Sequence, residues 1–313
     1  MNVFVTALAL FAALQMTAVA DPFPAFTPFI VWHRERHASS TTEWVTLEQR
    51  TPQMSAPRRL INDSLGVAVT ADAALVLDAA SGAVLWEKNV GEKRPIASIT
   101  KLVSVLVALE HLTDLTAPIE ITQKDYVTLG YNNFKVGEVF PARDVLAAVI
   151  VASDNTAARA LARSTGLTAD EFVKSMNQRA KEMNLRETRF VDQTGLLDGN
   201  VSNAREVAAF AHAAFMNTEI AGLASRATYT ATSVTGSTRV IRTTNKLIGS
   251  SLLQVRAGKT GYVSESGYTI VAEVRNNKQK DLRVVVLGSA TNEDRFQDLK
   301  MLAVWAWRNY EWL

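Results

Sequence analysis

Apolar and polar positions along the chain follow two rhythms, one of period two and one near 3.6, and their order outlines a fold. Ala74 to Asp78 and Ala83 to Glu87 are short apolar runs parted by Ala80-Ser81-Gly82, which predicts a hairpin. From about Ser98 to Phe215 helical spacing dominates. Thr168-Ala-Asp-Glu171 reads as a capping box, and Phe172, Met176 and Met183 share one face of the helix behind it. Tyr229 to Arg242, Val255 to Val263, Tyr268 to Val274 and Leu282 to Leu287 then read as strands, with Ser266-Gly267 and Asn276-Asn277 as turns. A final helix runs from about Asn292 to Trp307, capped by Thr291. Strands, a long helical insertion, strands and a helix predict an α+β fold: one antiparallel sheet flanked by helices, with a helical subdomain beside it.

The N-terminal region stands apart from this pattern. Val3 to Ala20 is apolar without a charge and ends Ala18-Val19-Ala20 before Asp21, so residues 1–20 are expected to be a cleaved signal peptide. A retained anchor is the alternative, since about 18 residues just span a bilayer. Either way the remainder is exported, to the periplasm or cell envelope. Five of the eight prolines fall before residue 58, and no period persists there. Residues 21–60 are therefore expected to form a linker or loosely attached arm, and residues 61–313 the main folded domain.

Composition narrows the chemistry. Hydrophobic residues make up 48% of the 313, enough for a sizeable core, and the net charge of +2 gives no footprint for a nucleic-acid partner. The absence of cysteine excludes disulfides, thiolate chemistry and a lipoprotein anchor. The four histidines are scattered without ligand spacing, so neither a metal nor another cofactor is expected.

Three short motifs carry chemistry. In Ser98-Ile-Thr-Lys101 the hydroxyl and the amine lie one turn apart on a helix that is apolar nearly all round (Leu102, Val103, Val105, Leu106). Burial of such a helix disfavours the ammonium, so a neutral Lys101 becomes available to take the Ser98 proton. Ser153-Asp-Asn155 sits in a break between two apolar helices, where side chains project into a cleft, although Asp154 or Asn155 could simply cap the second helix. Ser175-Met-Asn177 has the same pattern inside an amphipathic helix, where both side chains are expected to be solvated. Lys259-Thr-Gly261, followed by Tyr262, falls on a predicted strand edge. There Lys259 and Thr260 suit a substrate carboxylate, and Gly261 admits a substrate backbone.

Ser-x-x-Lys alone arises by chance about once per 300 residues; the three motifs in this order and context are far more specific. Together they resemble the penicillin-recognising serine enzymes, and in particular the D-alanyl-D-alanine carboxypeptidase and endopeptidase family of low-mass penicillin-binding proteins. The resemblance runs from about Ala74 to Trp307 and includes Phe190-Val-Asp-Gln-Thr-Gly-Leu196, Ser266-Gly-Tyr268 and Arg295-Phe296. It implies a β-lactamase/transpeptidase-like fold and an acyl-enzyme on Ser98 with Lys101 as general base. It implies an oxyanion hole of the Ser98 and Tyr262 N–H groups and proton relay by Ser153. Asn155, Lys259, Thr260 and Gly261 would bind substrate. The implied partners are peptidoglycan stem peptides, with β-lactams as covalent inhibitors and loose association with the envelope. Carboxypeptidase activity is the leading expectation. The chain stops after the helix that completes the catalytic domain, as in the endopeptidase branch, which keeps cross-link cleavage as the alternative. A class A β-lactamase shares the motifs, but no Glu-x-x-Leu-Asn segment follows Asn155, and the intact Ser98, Lys101 and Lys259 argue against a non-catalytic binding relative.

Overall fold

The computed structural model describes residues 55–312; the expected signal peptide and most of the expected arm lie outside them. A five-stranded antiparallel sheet forms the centre, built from β1 (Ala73–Asp78), β2 (Val84–Lys88), β3 (Gln254–Val263), β4 (Gly267–Arg275) and β5 (Asp281–Ser289). Their spatial order is β3-β4-β5-β1-β2, so β3, which carries Lys259, is an edge strand.

Both faces of this sheet are covered, which explains why β1 reads as an unbroken apolar run rather than an alternation. All six of its residues are buried. Ala73, Leu75 and Leu77 face the larger core, while Ala74 and Val76 face a second core closed by Phe296, Leu299 and Leu302 of α7 (Asn292–Asn309). Trp305 and Trp312 belong to this second layer, bonding through their indole N–H groups to Ser64 and Asp78. They are packing residues.

The larger core contains the helical insertion. α1 (Lys101–His111) lies at its centre, surrounded by α2 (Ala142–Val151), α3 (Asn155–Ser164), α4 (Ala169–Glu182) and α5 (Ala204–Met216), with α6 (Thr218–Ala224) against β3. The predicted capping box at Thr168 and Glu171 is present, and Thr291 caps α7. Among the described residues no helix is long and apolar enough to cross a membrane.

Two readings of the sequence change. Tyr229 to Arg242 is a hairpin of Thr228–Thr232 and Thr238–Arg242, not one strand. Ser233 donates its N–H to the Ser237 carbonyl, and Gly236 supplies the left-handed conformation the turn requires, at φ +87°. Arg58 and Arg59, assigned to the arm, pair with Glu311 and Tyr310 next to the C-terminus.

Candidate active site

The first motif begins not in the α-helix but in a 3₁₀ turn, Ala97–Thr100, that leads into α1. In a 3₁₀ turn residues three apart eclipse one another, and Lys101 Nζ comes to 2.7 Å from Ser98 Oγ. Lys101 is completely buried, and its other acceptors are Asn155 Oδ1 at 2.7 Å and the Thr194 carbonyl at 2.6 Å. Burial pulls its pKa from 10.5 down to about 7, against the opposing pull of Asp192 and Asp154. Two fixed acceptors hold two N–H protons, which leaves the nitrogen lone pair of neutral Lys101 directed at the Ser98 hydroxyl.

The second motif closes the site from the α2–α3 junction. Asp154 caps α3 by accepting from Ala157 N–H, so the capping reading of this motif is correct for Asp154. Its neighbours face the cleft. Ser153 adopts φ +60°, a left-handed conformation unusual for a serine, which costs about 1–3 kcal/mol and persists only where the surroundings impose it. Its Oγ accepts a 2.6 Å hydrogen bond from Lys259 Nζ. Asn155 bridges two walls, accepting from Lys101 and donating to the Leu129 carbonyl. The decoy at Ser175 and Asn177 points elsewhere, but not simply into water. Ser175 bonds back to the Glu171 carbonyl, while Asn177 exchanges hydrogen bonds with the backbone of Phe190 and pins that loop.

The third motif lies on the edge strand, as the sequence predicts. Lys259 is on an edge strand yet only 1% exposed, because the 3₁₀ turn and the α2–α3 junction cover the edge. Its remaining acceptor is the Thr260 carbonyl at 2.9 Å. Burial first, then the charges of Lys101 and Arg295, hold its pKa well below the ordinary lysine value. Gly261 is tightly surrounded: a Cβ there would lie 2.6 Å from Thr269 Oγ1 and 3.0 Å from both Ile96 O and Ser98 N. The strand thus runs directly beside the Ser98 N–H. Tyr262, half-exposed, stacks on Tyr268 with ring centroids 4.2 Å apart.

Several supporting residues have no assigned role in the sequence reading. Asp192 accepts from Thr194 N–H, Thr194 Oγ1, Gly195 N–H and Asn200 Nδ2, folding the loop that presents the Thr194 carbonyl to Lys101. Gly195, at φ +79°, fits so tightly that a Cβ would lie 2.0 Å from the Ala97 carbonyl oxygen. An Asp-x-Thr-Gly turn is legible as a turn; its partner, being non-local, is not. Thr244 Oγ1 lies 2.5 Å from Thr260 Oγ1. Arg295, mostly buried, donates to the Gly261 carbonyl at 2.8 Å, and burial lowers its pKa to about 10.

One serine, two lysines of depressed basicity, a second serine and an amide thus converge at the junction of sheet and helices. Among the described residues no cluster suited to a metal ion occurs. The solved structures similar to this fold include a cysteine mutant of the Streptomyces K15 DD-transpeptidase, with TM-score 0.72 and 25% identity. It aligns with 78% of this chain and all of that one. Penicillin-binding protein D2 of Listeria monocytogenes in its ampicillin-bound form is similar at TM-score 0.68 and 26% identity, with the same coverage. A D-alanyl-D-alanine endopeptidase of Pseudomonas aeruginosa is 30% identical over 275 residues, 87% of this chain and 88% of that protein. The D-alanyl-D-alanine carboxypeptidase DacC of Escherichia coli is 31% identical over 262 residues, 78% of this chain and 62% of that protein. Residues 59–291 match the Peptidase S11 family, D-alanyl-D-alanine carboxypeptidase, and the chain belongs to that family of serine peptidases.

Proposed function

We propose that this chain hydrolyses D-alanyl-D-alanine bonds of peptidoglycan stem peptides through an acyl-enzyme on Ser98, with D-Ala-D-Ala carboxypeptidase as its main activity. The observation that carries the assignment is the 2.7 Å approach of a buried Lys101, of pKa about 7, to the Ser98 hydroxyl. Neutral Lys101 removes the Ser98 proton as Oγ attacks the carbonyl of the penultimate D-Ala. The Ser98 and Tyr262 N–H groups receive the developing oxyanion beside β3. Ser153 passes a proton to the departing amine, and water later cleaves the ester to regenerate Ser98. Asn155 holds both Lys101 and the loop at Leu129, and so fixes the base while offering its amide to the substrate backbone.

Lys259 and Thr260 would take the substrate carboxylate. In the free site burial, then the charges of Lys101 and Arg295, hold the Lys259 pKa well below its ordinary value. An arriving carboxylate supplies a negative charge and favours the ammonium. Substrate binding therefore raises the Lys259 pKa back toward its ordinary value.

Endopeptidase activity is the second reading, supported by the similarity to the P. aeruginosa endopeptidase across 87% of this chain. Comparing D-Ala release from a free pentapeptide with cleavage of a cross-linked dimer separates the two. Faster cutting of the dimer would overturn carboxypeptidase as the main activity. β-Lactams should acylate Ser98, as the ampicillin-bound Listeria relative suggests. A long-lived label supports a peptidase, and rapid turnover a β-lactamase. Export to the periplasm or envelope, loosely associated with the wall, follows from the apolar leader and the substrate.

A further inference from the structure

A groove of about 1160 Å³ lies away from Ser98 and Lys101, between α6, the segment 248–256, the β4–β5 turn and the last turn of α7. Arg256, Arg275, Lys278 and Arg308 line it, and no carboxylate does. Arg275 is paired with Asp281. The other three make no ion pair among the described residues, in a chain whose 33 basic and 31 acidic side chains nearly balance. The same wall holds Trp307, whose indole N–H is buried without an acceptor.

Local roles explain part of this. Arg308, in the last turn of α7, complements the helix dipole, and a lysine such as Lys278 in a hairpin turn keeps that turn soluble. Arg256 is different. Val255 pairs with Val274 and Ala257 with Glu273, so Arg256 is the extra residue of a β-bulge. A bulge leaves its extra residue unpaired in the ladder, and Arg256 is exposed on the groove wall. Arg256 lies four residues before Thr260 on β3, about 13 Å at the usual strand rise. One strand thus serves both the carboxylate-binding end of the site and this groove.

We propose that the groove docks the acidic stem peptides that neighbour the one being cut on polymeric peptidoglycan. This rests on the proposed function and adds to it a second contact made only with the polymer. Each uncut stem peptide carries at least its terminal carboxylate, so the polymer presents a repeating row of anions. Three unpaired cations can engage that row while Ser98 acts on the next peptide. Such a contact raises the effective concentration of substrate without touching the chemistry, and it weakens as salt screens exposed charges.

The test uses Arg256→Glu/Arg308→Glu, with Arg256→Gln/Arg308→Gln as a gentler pair. Rates are measured on intact sacculi and on soluble muropeptides, and cosedimentation with sacculi is measured in a Ser98→Ala background, from about 50 to 300 mM salt. The charge-reversed protein should lose at least about fivefold in sacculus rate and in cosedimentation, and most of its salt dependence. Its soluble rate should stay within about twofold of the parent and the Gln pair should be intermediate. Equal losses on both substrates, or unchanged cosedimentation, overturn the proposal. So does salt-sensitive binding to phosphatidylglycerol vesicles that matches or exceeds binding to sacculi, which would assign the groove to lipid. Failure of the underlying function shows separately, as absence of both penicillin labelling and muropeptide turnover in the parent protein.

Discussion

The pH profile of Ser98 acylation follows directly from the environment of Lys101. With its pKa brought from 10.5 to about 7, Lys101 is half neutral at pH 7. An ordinary lysine would be neutral at only about 0.03%, so burial raises the supply of base more than a thousandfold. The displacement corresponds to about 5 kcal/mol against the charged form, imposed by complete burial and moderated by Asp192 and Asp154. The second-order rate of acylation by a fluorescent penicillin, measured from about pH 5 to 9 at fixed ionic strength, should fall about tenfold per unit below pH 6. It should show a midpoint near 7 and a plateau by about 8.5. A profile flat across this range, or one still climbing tenfold per unit at pH 9, would refute Lys101 as the buried neutral base.

Further consequences concern other parts of the site. Because Lys101 has a lower pKa folded than unfolded, the unfolded chain holds an extra proton between about pH 7 and 10.5. Stability should therefore rise with pH in that window, and denaturant titrations should show a smaller rise in Lys101→Met. Ser153→Ala should slow acylation at least about a hundredfold while Ser175→Ala changes little; equal effects would remove the distinction between cleft serine and helix serine. Gly195→Ala drives a Cβ to 2.0 Å from the Ala97 oxygen at a positive φ, so it should cost more than about 2 kcal/mol of stability by thermal melting or abolish acylation. Lys259→Ala should weaken binding of a substrate analogue with a free carboxylate, measured by calorimetry, and leave binding of its amide little changed; equal effects on both would remove the carboxylate role of Lys259.

How far the sequence exposed all this depended on the range of the interactions involved. The Ser98–Lys101 pair was legible because both residues lie on one turn, and the apolar ring of α1 announced its burial. The antiparallel sheet flanked by helices followed from the succession of strands, helical insertion, strands and helix, whereas the hairpin at 228–242 was missed because Thr-rich strands on either side of Ser233 to Ser237 share one β signal. Lys259 was placed on the right strand, but its cover was not legible, because it arrives from residues more than a hundred positions away. The close neighbours of Gly261 were hidden for the same reason: they belong to Ile96, Ser98 and Thr269. The Thr194 carbonyl could not be read at all, since a backbone acceptor has no residue signature.

The most direct test of the central claim is mass spectrometry of the protein after reaction with benzylpenicillin, followed by peptide mapping of the adduct. The account predicts one covalent penicilloyl group on the peptide containing Ser98, persistent enough to isolate, and none in a folded Ser98→Ala protein. An adduct on any other residue, or labelling that survives Ser98→Ala, would contradict it.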